Sequence, residues 1–123
     1  MNVLVDTSVW VNHFRRPNSA LAHLLMTDQV ILHPMVIGEL ACGTPPQRQQ
    51  TLSDLARLRS THISTQQEVL VFIEQHPLFG MGCGWIDINL LASVLISPEG
   101  VLWTEDKRLA KLAKHFDIAW SEQ

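Results

Sequence analysis

At 123 residues, 46% of them hydrophobic and 17% charged, the chain can bury a core but is too short for two ordinary domains and too apolar for a disordered segment. One domain spanning residues 1–123 is therefore expected. The net charge of −3 argues against the basic footprint of most nucleic-acid binders. That objection weakens if several acids converge on divalent cations, which reverse the local potential where a phosphate approaches. No apolar run nears the roughly 20 residues needed to cross a bilayer, and no basic stretch leads into an apolar one at the N-terminus, so a cytoplasmic protein is expected. Cys42 and Cys83 lie far apart and neither belongs to a CxxC pair. That speaks against a zinc or disulfide framework and for two buried thiols.

Asn2-Val3-Leu4-Val5 is a short apolar, β-branched run ending on Asp6, the pattern of a buried parallel strand. Thr7 or Ser8 can cap a helix through Trp10, Val11 and Phe14, and a second helix runs from Ser19 to Thr27 with Leu21, Leu24 and Leu25 at helical spacing. Val30-Ile31-Leu32 reads as a strand. Pro34 then opens a helix through Met35, Val36 and Leu40 that stops at Gly43-Thr44-Pro45-Pro46. A further helix is expected from about Gln47 to Arg59, a weak strand at His62-Ile63, and a helix from Gln66 to Gln75. The glycines at 80, 82 and 84 make a loop before a helix that begins at Trp85 or Ile86 and runs to Ile96. Val101 to Thr104 is a strand, Asp106 to His115 a helix, and Ile118-Ala119-Trp120 a last short strand. Strands alternating with helices give an α/β fold with a mainly parallel sheet of four to five strands, covered on both faces. In such sheets, sites form beyond the carboxyl ends of the strands.

Most acids, such as Asp54, Glu68, Glu74 and Glu122, fit solvated helix faces or tails. Asp6 and Asp106 instead sit at or just past strand ends, where each also qualifies as a helix N-cap. Asp87 lies in a first turn, where it complements the helix dipole, but shares a face with Leu90, Leu91 and Val94. Glu39 is mid-helix, flanked at helical spacing by Met35, Val36, Cys42 and Gly43, which places it on the apolar side. Buried carboxylates are costly without a cation, and no inward-facing Lys or Arg is evident among these helices. A divalent metal resolves the conflict, and all-oxygen ligation suits Mg²⁺ or Mn²⁺ rather than zinc.

The segment Val3-Leu4-Val5-Asp6-Thr7-Ser8, the helical Glu39 in Val36-Ile37-Gly38-Glu39-Leu40, the Asp87 helix and the Thr104-Glu105-Asp106 turn resemble, in this order, the motifs of PIN-domain nucleases. More narrowly they resemble the VapC toxins of bacterial type II toxin–antitoxin systems, over essentially the whole chain. The resemblance implies a three-layer PIN-like sandwich, commonly a homodimer, that acts as a Mg²⁺- or Mn²⁺-dependent endoribonuclease on RNA and is neutralised by a cognate antitoxin. By position it implies Asp6, Glu39, Asp87 and Asp106 as catalytic and metal-binding acids, with Thr7, Ser8 and Thr104 as supporting hydroxyls. One departure stands out: where many members carry a further acid, this chain has Arg108, followed by Leu109 in place of an aromatic.

For the RNA backbone, candidate contacts are Arg15 and Arg16 after the first helix, and Lys107, Arg108 and Lys111 on the last, where Lys114 continues the spacing. A solvated helix face accounts for the lysines equally well. Trp10, Trp85 and Trp103 stand in apolar stretches and are expected in the core. A receiver domain would want an acidic pair where Asp6-Thr7 stands, and a haloacid-dehalogenase-like phosphatase a second Asp where Ser8 stands. Gly80-x-Gly82-x-Gly84 has no strand before it, and there is no GxxxxGK[ST], HExxH or GxSxG. The six histidines are scattered and suggest no role. The remaining alternative is a non-catalytic α/β interaction module whose acids only cap helices.

Overall fold

The computed structural model describes residues 1–122. Its elements follow in the order β1 (Asn2–Val5), α1 (Thr7–Arg15), α2 (Ser19–Met26), β2 (Val30–Leu32), α3 (Pro34–Ala41), α4 (Arg48–Ala56), β3 (Arg59–Ser60), α5 (Gln66–Gln75), α6 (Trp85–Ile96), β4 (Gly100–Trp103) and α7 (Lys107–His115). All strand pairings are parallel and the sheet order is β3-β2-β1-β4. The fold is thus the expected α/β sandwich. Among the described residues no helix is long and apolar enough to cross a membrane.

Parallel pairing explains why β1 is almost wholly apolar. It lies between β2 and β4, with Val3 opposite Val30 and Val101, and Leu4 opposite Ile31 and Leu102. Val3, Leu4 and Val5 are fully buried because both faces of the strand are covered. Crossovers to β2 and β3 run one way from β1 and the connection to β4 returns the other way, so right-handedness sends the intervening helices to opposite faces. In keeping with this, α3 packs on both α1 and α4, whereas α5 packs on α6. The reversal leaves a crevice at the carboxyl ends of β1 and β4.

Several local expectations are corrected. The third strand is Arg59–Ser60, not His62-Ile63: pairing of Ile31 with Arg59 and Leu32 with Ser60 fixes it, and as an exposed edge strand it has no apolar pattern to betray it. The segment Ile118–Trp120 makes only a single parallel bridge, Leu102 with Ala119, rather than a strand. Asp106 precedes α7 as its N-cap. Trp10 and Trp103 are buried, the latter stacked on Trp120 with centroids 4.0 Å apart, but Trp85 is 40% exposed at the start of α6. Neither cysteine is fully buried: Cys42 is exposed past the end of α3, and Cys83, in the glycine loop, is half-buried against the edge of the core.

Gly100 starts β4 so close to the end of α6 that a Cβ there would stand 2.7 Å from the Val94 carbonyl oxygen. Gly100→Ala is expected to destabilise the protein by about 1–3 kcal/mol, as overpacking against fixed backbone does. Urea unfolding measures this; an unchanged midpoint would show that β4 and α6 separate without cost.

Candidate active site

Asp6 caps α1, accepting the Thr7 N–H at Oδ1 (2.7 Å). Its Oδ2 accepts the hydroxyls of Ser8 (3.0 Å) and Thr104 (2.7 Å), so both carboxylate oxygens are held in place although the residue is only 6% exposed. Thr104 reaches it because β4 lies beside β1 and the Asp6 N–H donates to the Trp103 carbonyl (2.9 Å). The Thr104 hydroxyl oxygen also accepts the Asp106 N–H (3.0 Å), and Asp106 Oδ1 accepts the Leu109 N–H (2.9 Å) to cap α7. Capping therefore does account for one oxygen of Asp6 and one of Asp106.

Glu39 enters from α3. It is exposed, which corrects the inward placement expected for it. The buried stripe of α3 is Val36 and Leu40; Met35 is half-buried and Cys42 and Gly43 are exposed, so Glu39 flanks the stripe. The Thr7 hydroxyl donates to its Oε1 (2.7 Å), joining α1 to α3. His33, to which the scattered histidines gave no clue, caps α3 by accepting the Met35 N–H at Nδ1 (3.0 Å), and burial lowers its pKa. A neutral imidazole is what that acceptor role requires.

Asp87 comes from the first turn of α6, three residues after the N-cap Gly84, whose backbone it engages. It is half-buried, and its pKa is pushed up from 3.8 to about 6, first by desolvation and then by the negative charges of Asp6, Asp106 and Glu39, with the Gly84 backbone offsetting part of this. Asp6 at the end of β1, Glu39 from α3 and Asp106 from the turn after β4 therefore all lie near enough to Asp87 for their charge to act on it.

The donor chemistry fits a hard divalent ion. It is all carboxylate and hydroxyl oxygen, and the ion pair between Arg59 and Asp28, far from these acids in sequence and outside their hydrogen-bond network, is the one salt bridge among the described residues. Among those residues no three His, Cys, Asp or Glu side chains are drawn together closely enough to grasp one ion directly. A hydrated ion tolerates such spacing, since Mg²⁺ commonly keeps several waters between itself and its protein ligands.

Two further residues extend the network. Asn12, one turn after Ser8 on α1, hydrogen-bonds the Glu105 carboxylate, and the Glu105 N–H donates to Ser8 Oγ (3.1 Å). The i, i+4 spacing of Ser8 and Asn12 was the available signal. Of the candidate cations, Arg15, Arg16, Lys107, Arg108 and Lys111 are all exposed. Arg108 lies across the glycine loop, with a guanidinium nitrogen 3.4 Å from the Gly82 carbonyl oxygen, and a Cβ on Gly82 (φ 85°) would come 2.7 Å from its side chain. A cavity of about 430 Å³ opens beside Thr7 and Glu39; a larger one of about 560 Å³, near Met1, His23 and Trp120, contains none of the four acids.

For the metal-free protein the raised pKa of Asp87 has a definite sign. Below 3.8 the carboxyl is protonated in both folded and unfolded chains and costs nothing; between 3.8 and about 6 only the unfolded chain ionises, so stability falls as pH rises, and the loss is complete above 6. Asp87→Asn is accordingly expected to raise stability at pH 7.5 by at most about 3 kcal/mol, less after solvent screening, and to have little effect at pH 3.5. Thermal unfolding in EDTA at the two pH values tests this, and an equal effect at both would show that the carboxylate is not strained by its neighbours.

No family model matches the chain. Its sequence is 41% identical over 121 residues to Ribonuclease VapC32 of Mycobacterium tuberculosis, in strain CDC 1551 / Oshkosh and in strain ATCC 25618 / H37Rv alike, and the match covers 98% of this chain and 98% of each relative. With 41% identity over nearly the whole of both chains, the protein belongs to the VapC family of PIN-domain ribonucleases.

Proposed function

We propose that this chain is a divalent-metal-dependent endoribonuclease, the toxin of a type II toxin–antitoxin pair, acting in the cytoplasm and held inactive by its cognate antitoxin. The observation that carries the reading is that acids from separate elements meet at the ends of β1 and β4: Thr104 bonds both the Asp6 carboxylate and the Asp106 N–H, Thr7 beside Asp6 bonds Glu39, and Asp87 on α6 lies near enough to feel the charge of all three. An interaction module whose acids merely cap helices would account for Asp6 and Asp106 but leaves this arrangement without a reason. The ribonuclease name of the mycobacterial relative supports the same chemistry.

Asp6, Asp87 and Asp106 would hold Mg²⁺ or Mn²⁺, directly or through water, with Glu39 beside them. When bound, such an ion lowers the pKa of water and offsets the charge that builds on a phosphodiester under attack. The chain's own part is positioning. Ser8 and Thr104 aim the Asp6 carboxylate, Thr104 also ties down the Asp106 backbone, and Thr7 orients Glu39 through Oε1. The other Glu39 oxygen is left to accept a proton from the attacking water. The exposed Arg15, Arg16, Lys107, Arg108 and Lys111 supply positive charge for the RNA backbone, which an acid-lined site with net charge −3 needs at its margins. Homodimerisation belongs to the same reading: Leu70 and Val71 on α5 and Leu95 and Ile96 at the end of α6 are exposed apolar side chains that a second copy would cover.

Incubation of the purified protein with structured RNA in Mg²⁺, Mn²⁺ or EDTA tests the proposal. Cleavage is expected with either ion and not in EDTA. Asp6→Asn or Asp87→Asn should lower the rate by more than about 100-fold, and Thr104→Val by about 10–100-fold, the range seen when a partner that only orients a metal-binding side chain is lost. Equal cleavage by wild type and folded Asp87→Asn would sink the assignment.

A further inference from the structure

The cavity of about 430 Å³ beside the acids is walled by Val11, Phe14, Leu40, Pro45 and Pro46, with Thr7 and Glu39 at one end and Arg15 among its lining residues. We propose that this cavity, between α1, α3 and the Gly43–Pro46 turn, is a subsite for one unpaired nucleotide of the RNA next to the scissile bond, with Arg15 binding a neighbouring phosphate. The inference rests on the ribonuclease reading and adds to it where the substrate lies and which residues hold it.

Continuity is the first argument. Thr7 and Glu39 are hydrogen-bonded to each other (2.7 Å) and belong both to the acid network and to the cavity wall, so a strand whose phosphodiester sits at the acids has this cavity as its adjoining apolar space. Size is the second: the volume falls in the lower part of the roughly 300–1,000 Å³ range of small-ligand pockets, suited to a single nucleotide rather than a duplex. Chemistry is the third. Phe14 brings an aromatic side chain to the lining and Pro45 and Pro46 bring apolar surface, and a base stacks on an aromatic ring whatever its identity. Arg15 ends α1, eight residues beyond Thr7, which places it about 12 Å along the helix from the site end. It is exposed, and among the described residues no carboxylate pairs with it, so its charge is available to a phosphate.

The subsite also bears on selectivity. Stacking in the cavity requires an unpaired base, so cleavage is directed to loops and single-stranded segments, with Thr44 and the turn backbone at the rim able to read the base edge.

The test uses the full chain with Mn²⁺ and short single-stranded RNA oligonucleotides of mixed sequence, each with one abasic position, scanned across the mapped cut. In the wild type, removing the base at one position adjoining the cut should raise KM about tenfold or more, the loss expected for one stacked base, with little change in kcat. Thr44→Trp, which fills the cavity from an exposed position, should raise KM for intact RNA to a similar degree and add nothing for the RNA that lacks this base. Arg15→Ala should raise KM and flatten its dependence on salt. Wild-type KM in both folded variants, or a Thr44→Trp effect that simply multiplies with the abasic effect, would overturn the subsite. So would variants that bind RNA normally but escape inhibition by the cognate antitoxin, which would make the cavity a peptide site. Absence of metal-dependent cleavage by the wild type would instead overturn the ribonuclease reading, and the subsite with it.

Discussion

The Thr104 hydroxyl bonded to Asp6 Oδ2 joins residues 98 positions apart and ties together the two strand ends on which the site is built. It exists because β1 and β4 pair in parallel, Val5 opposite Trp103, so that both chains leave the sheet at the same rim. From this one contact the order of the site follows. Thr104 fixes the Asp106 N–H, Asp106 caps α7, Ser8 supports the same Asp6 oxygen, and Glu105 is drawn onto Ser8 and Asn12. The β1–β4 boundary is also where the sheet changes winding direction, and therefore where helices from both layers leave room for a ligand.

Gathering acids at that rim carries an electrostatic cost. Three of the four find partial relief in the fold, Asp6 and Asp106 through helix caps and Glu39 through Thr7. Asp87 has the least, and its raised pKa registers the charge of the other three. Such strain is tolerable because the surrounding core is well filled: β1 is buried on both faces and α6 presents Ile88, Leu90, Leu91 and Val94 to it. On the proposed reading the same strain becomes affinity for a divalent ion, since the repulsion that disfavours the empty site is released when a cation enters.

The two helical layers divide the work. The layer of α1 and α3 contributes Glu39, its orienting Thr7 and the cavity beside them, while α6 brings Asp87 from the other side and the glycine loop brings the Arg108 contact. A phosphate at the rim would thus have apolar and basic surface on the α1 side and the loop with exposed Phe79 and Trp85 on the other. On the proposed reading a chain of net charge −3 can serve RNA because a divalent ion at the acids reverses the local potential, with Arg15 lining the cavity beside Glu39 and Arg108 lying across the glycine loop.

The sequence by itself determined the strand β1, the alternation that makes the sheet parallel, the helices α1 to α7 to within a few residues, and the positions of Asp6, Asp87 and Asp106 at strand ends or a first turn. These are local properties, carried by apolar runs, spacing and breakers. The tertiary structure decided what local pattern cannot encode. Edge strand β3 is set by its pairing with β2, Ile118–Trp120 fails to become a strand because only Leu102 with Ala119 closes a bridge, Trp85 and Cys42 are exposed, and Cys83 is only half-buried against the core. Glu39 shows the limit best: helical spacing placed it beside apolar neighbours, but only the docking of α3 on α1 decided that Val36 and Leu40 turn inward while Glu39 stays at the surface within reach of Thr7. Which side of a stripe meets the core is a property of the partner helix, and one helix's sequence does not contain it.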